Sequence, residues 1–547
     1  MEIVQYEESM SEAIYQFIKV VFKENGRLFC PESKDNDICN ITQEYLINGN
    51  FWCLLNSKGK ACGTIALRKL ENYYEIRRFF ILKKYQNIGY GKKLLDTVIN
   101  YAIAEGLNEI KAATMINGRV AQHLFHKCGF TKTEQYNSSS ADLFFQFELT
   151  RENVYNYKIN YLKNQFETSL ILNPTENVPC HYNLQKSDFL SGLYVSERFK
   201  DIIDKVIFAG RKDYITFFEY IKEEWKKELN AFDVDLKTLS GLNAHLILFL
   251  CILQPGDRVM VLPEICGGHF ATEQILKNIG VATYQMIPDF THLCVDVEKT
   301  IDLIESQKIN YVFVDRSEGL YYEDFSWLRR CHSCYKIFDA SQYISSILCK
   351  RFQNPFDMGF DMIITTLHKN YPGPQKGLLA VKRQNDIVWE RYLQHAKTYI
   401  SNTHPKAIAD SLIPLLNKSE LESYCFSCEK CTEKLENKLF EENVPVIKRV
   451  QKLIPTHHIW ILCQSKNESY GYYLKLESLG LLTNYRLLPY NLGYGLRIGL
   501  NGSILCGLKE EHIPLLANIM SDAYNNNITH KLEKKCKSFI KDIKTTA

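Results

Sequence analysis

The residues that can do chemistry fall into two stretches of the chain. In the second stretch, Met362-Ile-Ile-Thr-Thr-Leu-His-Lys-Asn-Tyr-Pro-Gly-Pro-Gln-Lys-Gly377 is an apolar run ending in His368-Lys369 and then a turn rich in proline and glycine. A lysine just past a strand end can sit in a polar pocket where a neighbouring cation lowers its pKa, as attack on a carbonyl carbon requires. Upstream, another apolar run ends in Asp339-Ala-Ser-Gln342, which puts a carboxylate at the same sheet edge. Leu239-Ser-Gly-Leu-Asn-Ala244 opens a helix whose amides, with the Ser240 hydroxyl, suit a phosphate, and Gly267-Gly-His269 offers an imidazole that can stack on a planar ring. In the first stretch, Tyr73-Tyr-Glu-Ile-Arg-Arg-Phe-Phe-Ile-Leu82 is strand-like and is followed by Gln86-Asn-Ile-Gly-Tyr-Gly91. Glycines at a strand-to-helix turn let backbone N–H groups approach an anion, and a pyrophosphate fits there. Glu75 on that strand is a candidate base for an ammonium group, which has no lone pair until it loses a proton.

These residues need rigid elements to hold them. After Gly91 a helix is predicted from Lys92 to about Glu105, with Leu94, Leu95, Val98, Ile99, Ala102 and Ile103 on one face. Residues 1–149 alternate strand-like and helix-like segments and close with the strand-like Asp142-Leu-Phe-Phe-Gln-Phe-Glu-Leu149. A linker is expected over 150–168. From 169 to 384, Arg258-Val-Met-Val-Leu262, Tyr311-Val-Phe-Val314, Tyr335-Lys-Ile-Phe338 and Met362-Ile-Ile-Thr365 are separated by helix-length segments. That spacing predicts βα units around a mostly parallel sheet. Residues 385–525 read as a smaller α+β domain. The tail, 526–547, carries six lysines against two acidic residues from His530 onward and reads as a solvated or frayed helix. There is no internal repeat and no low-complexity tract.

Composition narrows the function classes. The chain has 547 residues, 46% hydrophobic and 24% charged, which is a globular balance over two to four domains. A net charge of +3 argues against nucleic acid or an anionic membrane as a general partner, so a small molecule is expected. The N-terminus lacks the pattern of a signal peptide, and the longest apolar stretch, near Leu246–Leu253, is too short to span a bilayer. A cytoplasmic location and reduced thiols are therefore expected for the 18 cysteines. Cys425, Cys428 and Cys431, and the pair Cys331 and Cys334, are spaced like metal ligands but lack an obvious full ligand set, so no metal is expected.

The order strand, Gln86-x-x-Gly89-x-Gly91, helix, Asn117 and Leu124-Phe-His-Lys-Cys-Gly-Phe130 resembles the GNAT superfamily of acetyl-CoA-dependent N-acyltransferases over residues 1–149. The resemblance implies that Gln86, Gly89, Gly91 and Asn117 bind acyl-CoA and that Glu75 is the base. It departs at Phe125, where the family commonly has a tyrosine that protonates the leaving thiolate. Phenylalanine has no proton to give.

The second stretch resembles fold-type I pyridoxal-phosphate enzymes, and within them serine hydroxymethyltransferase. The resemblance rests on Leu172-Asn-Pro-Thr-Glu-Asn177, Ser240-Gly241, Pro255-Gly-Asp257, Gly267-Gly-His269, Ser317, Asp339, Thr366-Leu-His-Lys369, Gly373-Pro374 and Gly495-Leu-Arg-Ile-Gly499. It implies that Lys369 carries the cofactor, Asp339 pairs with its ring nitrogen, His269 stacks on its face, and Ser240 and Gly241 bind its phosphate. Ser317 and His368 would contact ring substituents or phosphate. Arg497 would grip the substrate carboxylate, assisted by Thr175, and Glu197 would be the acid/base carboxylate. The departures are Arg198-Phe-Lys-Asp-Ile-Ile203 in place of a tyrosine- and glycine-rich segment, Leu242 for a phosphate-binding hydroxyl, and Gln342 for a histidine. They leave the use of tetrahydrofolate open.

The two resemblances together imply a bifunctional α/β protein. One part would perform an aldol-type reaction on glycine, serine or a β-hydroxy amino acid with pyridoxal phosphate. The other would transfer an acetyl group from acetyl-CoA to an amine. The alternative is an amino-acid racemase with an acyl-CoA-binding but non-catalytic GNAT module. A homodimer is expected by analogy.

Overall fold

The computed structural model describes residues 1–150, 153, 154, 157, 168–172, 188, 190, 191, 212–400, 402–447, 455–526 and 528–545. Two compact units divide the chain, Met1–Glu167 and Thr168–Ala547.

The first unit is built on a seven-stranded sheet. Its strands are β1 (Glu2–Gln5), β2 (Asn50–Leu55), β3 (Ala61–Lys69), β4 (Tyr74–Ile81), β5 (Glu109–Thr114), β6 (Thr131–Thr133) and β7 (Leu143–Glu148), in the order β1-β2-β3-β4-β5-β7-β6. The pair β4 and β5 is parallel and all other pairs are antiparallel. Helix α1 (Ser11–Glu24) buries Ile14, Phe17, Ile18, Val21 and Phe22, an i, i+3, i+4, i+7 stripe. Helix α2 (Tyr90–Ala104) buries Leu94, Leu95, Val98, Ile99 and Ala102, and α3 spans Arg119–Lys127. Strands β4 and β5 pair only at Glu75 with Lys111 and Ile76 with Ala112, although β4 runs on to Ile81 and β5 to Thr114. A wedge opens between them. At its root Arg78 has a φ of 51° and is tied to Asp35 at 2.9 Å and to Asp37. Two buried carboxylates thus hold a residue in a conformation that side chains disfavour.

The second unit is built on a separate seven-stranded sheet. Its order is Ala282–Gln285, Arg258–Val261, Tyr311–Val314, Tyr335–Asp339, Met362–Thr366, Gly377–Val381 and Asp233–Asp235. The first five are parallel and the last two run antiparallel to their neighbours. Tyr311–Val314, Met362–Thr366 and Gly377–Val381 are buried throughout, as strands covered on both faces must be.

A smaller layer completes this unit. Its antiparallel sheet orders Ile459–Leu462, Gly493–Ile498 and Asn484–Leu488, with helices Lys418–Glu441, Lys466–Ser478 and Ile513–Asn525 beside it. Cys425, Cys428 and Cys431 lie buried on the first of these helices. The tail is not frayed. Helix His530–Thr545 buries Leu532, Cys536, Phe539, Ile540 and Ile543 in the core of this layer, because the apolar residues between its lysines recur at helical spacing. Among the described residues no helix is long and apolar enough to cross a membrane.

Candidate active sites

In the first unit the loop after β4 has the form an anion needs. Asn87 and Gly89 take φ values of 61° and 91°, and Gly89 caps α2. The Gln86 side chain turns back to donate to the Ile81 carbonyl at 2.8 Å, which ties the loop to the strand. A Cβ on Gly91 would lie 3.0 Å from the tip of the Leu124 side chain on α3, which would have to give way by a few tenths of an ångström. Asn117 lies exposed just before α3. Glu75 is 3% exposed and has a donor on each oxygen. Tyr136 donates to its Oε1 at 2.9 Å, Asn137 to the same oxygen at 2.8 Å, and Arg77 to Oε2 at 2.6 Å. Burial, then the Glu75 charge, pushes the Tyr136 phenol well above its ordinary value. Phe125 is 3% exposed within a cluster of Phe79, Phe130 and Phe145, so no hydroxyl replaces the missing tyrosine at that position.

In the second unit, the sequence-predicted residues gather at the carboxyl ends of the parallel strands, where open α/β sheets bind ligands. Asp339 ends its strand, Ser317 lies three residues beyond Tyr311–Val314, and Lys369 three beyond Met362–Thr366. Asp339 receives the Ser341 N–H at 2.7 Å and lies 2.7 Å from His245 Nε2. Burial alone would raise the Asp339 carboxyl, but the hydrogen bond and charge of His245, with Lys369, hold it below the usual carboxylate range. Burial lowers the pKa of Lys369; the Asp339 charge opposes this and the Arg497 charge assists it. His269 caps helix Phe270–Ile279 and lies edge-on to His245 at 6.1 Å. Burial, then the charges of His245 and Lys369, keep its imidazole neutral at ordinary pH. Ser240 caps helix Gly241–Ile252 and accepts from the Asn243 N–H at 3.2 Å. A Cβ on Gly241 would come within 3.3 Å of both Ser341 Oγ and Thr366, so glycine keeps this helix start open. His368 Nδ1 lies 2.7 Å from the Thr366 hydroxyl, and burial with the Lys369 charge lowers its pKa to about 4.

Arg497 is 3% exposed, and one of its amino groups lies 3.4 Å from the Ser317 carbonyl and 3.5 Å from Glu318. Glu318 also pairs with Arg486. Its backbone is fixed against Gly267. The Glu318 N–H donates to the Gly267 carbonyl at 3.0 Å, and a Cβ on Gly267, whose φ is 85°, would fall 2.0 Å from the Glu318 carbonyl oxygen. Thr175 and Glu197 lie outside the described residues. His245 and Glu318 are additions that the sequence reading did not single out.

This arrangement fits pyridoxal phosphate by the chemistry of its donors. A helix start at Gly241, packed against Thr366 and Ser341, suits a phosphate, an ionised buried carboxylate suits a protonated ring nitrogen, and a lysine with a lowered pKa suits the aldehyde.

Comparison with known proteins finds similarity for both parts of the chain. The Acetyltransferase (GNAT) family matches residues 17–130. A serine hydroxymethyltransferase of Sulfolobus acidocaldarius is 25% identical over 391 residues, 68% of this chain and 87% of that protein. One of Thermococcus onnurineus is 27% identical over 302 residues, 52% of this chain and 70% of its own. The solved L-threonine transaldolase of Pseudomonas fluorescens superposes with a TM-score of 0.67 at 20% identity, covering 72% of this chain and 91% of that one, a likeness of fold. The chain therefore joins a stretch that matches the Acetyltransferase (GNAT) family, residues 17–130, to a region similar in sequence to serine hydroxymethyltransferases and in fold to a threonine transaldolase.

Proposed function

We propose that the protein is bifunctional: its second unit carries out pyridoxal-phosphate-dependent aldol-type chemistry on glycine, serine or a β-hydroxy amino acid, and its first unit acetylates an amine. The observation that carries the first half is the gathering of Lys369, Asp339, His269 and Arg497 at one sheet edge. Pyridoxal phosphate, when bound, supplies an electron sink for charge developing at the amino acid's Cα.

The chain's own residues do the rest. Lys369, its pKa lowered, offers an amine lone pair to the aldehyde. Asp339 stays ionised and would keep the cofactor's ring nitrogen protonated; His245 holds that carboxylate in place. The neutral His269 ring would pack on the cofactor face, Ser240, Gly241 and His368 would take its phosphate, and Ser317 would border its ring. Arg497 receives the substrate carboxylate in its planar fork, aided by Thr175, and Glu197 moves the proton. Because the segment after Glu197 departs from the folate-using pattern, a folate-free aldolase or transaldolase is the form of the reaction we favour.

Borohydride reduction followed by peptide mapping tests the cofactor: a pyridoxyl adduct on Lys369 is expected, and its absence overturns the reading. Separate incubations with L-serine, L-threonine and L-alanine test the reaction. Aldehyde without D-isomer is expected, and D-isomer without aldehyde identifies a racemase instead.

In the first unit, acetyl-CoA would place its pyrophosphate on the loop of Gln86, Gly89 and Gly91, with Asn117 nearby, its thioester in the wedge between β4 and β5, and Glu75 beside the acceptor amine. The amino acid produced by one unit is a fitting acceptor for the other. We further propose a cytoplasmic homodimer. Helix Gly241–Ile252 is mostly apolar, and Leu242, Leu246 and Leu250 form an exposed stripe at four-residue spacing, which a second copy would cover.

A further inference from the structure

Strands Asn484–Leu488 and Gly493–Ile498 set two arginines on one face. Asn484 pairs with Arg497 and Arg486 with Gly495, so Arg486, two residues beyond Asn484, points to the same side as Arg497. The Arg486 side chain is half-buried, 29% exposed, where it meets Glu318. Two guanidinium groups in such a site would take two carboxylates. Here Glu318 stands at both of them, paired with Arg486 and 3.5 Å from Arg497. It is buried, and burial raises its carboxyl pKa against the pull of the two arginines. The exposed Glu264 acts on it more weakly than either arginine. The cluster is not saturated. Arg497 Nε and Glu318 Oε2 are buried with no hydrogen-bond partner among the described residues. One edge of Arg497 thus remains for an incoming carboxylate, and the open oxygen of Glu318 repels a second one.

We propose that Glu318 is a specificity-determining residue. It holds a two-arginine pocket at one net positive charge, so that the pocket takes the single carboxylate of a monocarboxylic amino acid and turns away dicarboxylic ones such as aspartate and glutamate. This rests on the reading of the second unit as an amino-acid-binding pyridoxal-phosphate site.

The test is a visible-spectrum titration of the full-chain holoenzyme with glycine, L-serine, L-aspartate and L-glutamate. Wild type is expected to respond to the first two and only weakly to the dicarboxylates. In Glu318→Gln, L-aspartate should bind about tenfold tighter or more, while L-serine changes less. An unchanged aspartate affinity, or a wild type that already binds aspartate as tightly as serine, overturns the proposal. Arg486→Gln supplies an arm with the opposite sign. It leaves Glu318 to Arg497 alone, and L-serine should bind about tenfold more weakly; an unchanged affinity overturns the proposal as well. A merely structural cluster would weaken binding in both variants. A holoenzyme whose spectrum responds to no amino acid overturns the underlying reading, and this proposal with it.

Discussion

Glu75 in the first unit and Glu318 in the second are both buried carboxylates facing arginine, but they are held differently. Glu75 has donors on both oxygens from Arg77, Tyr136 and Asn137. Glu318 has one oxygen with no partner among the described residues, next to an arginine edge in the same condition. A fully satisfied buried network is rigid, whereas a partly satisfied one is costly unless a ligand completes it. The contrast separates a carboxylate with a donor on each oxygen from one with an oxygen left for a ligand to complete.

Lys369→Ala separates the units most strongly. We expect amino-acid turnover to fall at least about a thousandfold, while calorimetry finds acetyl-CoA binding unchanged. Loss of both would show that the two activities depend on each other. Glu75→Gln comes next. It keeps the shape of the network but removes the base, so acetyl transfer should fall about 10²–10⁴-fold with acetyl-CoA still bound. Retained transfer would assign Glu75 to structure alone and leave Glu318 as the carboxylate with a functional part.

Phe125→Tyr probes the aromatic cluster of the first unit. Placing a hydroxyl among Phe79, Phe130 and Phe145 should cost about 1–3 kcal/mol in urea unfolding, without raising thiol release. Faster thiol release would instead put this position beside the thioester.

The smallest effect is in pH. Burial and the Lys369 charge lower His368 to about 4 from its ordinary 6.5, so the folded second unit holds fewer protons than the unfolded chain between those values. Its stability should fall as pH drops from about 6.5 to 4. In the first unit, burial would raise Asp37, but Arg78 and Tyr45 outweigh it and hold it below its ordinary 3.8. That contribution is full above 3.8 and is lost only in more acid solution. Hydrogen exchange at pH 7 and pH 5 should show protection lost first in the second unit; equal loss in both would remove the distinction.

Much of this was legible in sequence where chemistry sits at the end of a pattern. The apolar runs at Arg258, Tyr311, Tyr335 and Met362 are parallel strands, and Asp339 and Lys369 stand out because each follows such a run. His245 does not stand out. It lies inside the apolar helix Gly241–Ile252 and meets Asp339 from 94 residues away. Glu318 is hidden in the same way, since only the register of two distant strands brings Arg486 and Arg497 to it. The lysines of the tail mask an apolar face that appears only at helical period.

The clamp between Gly267 and Glu318 has an evolutionary corollary. Any side chain at position 267 must push the main chain that bears the carboxylate, so a change at this glycine moves Glu318 while leaving both arginines as they are. Related chains that differ there would be the place to look for altered diets.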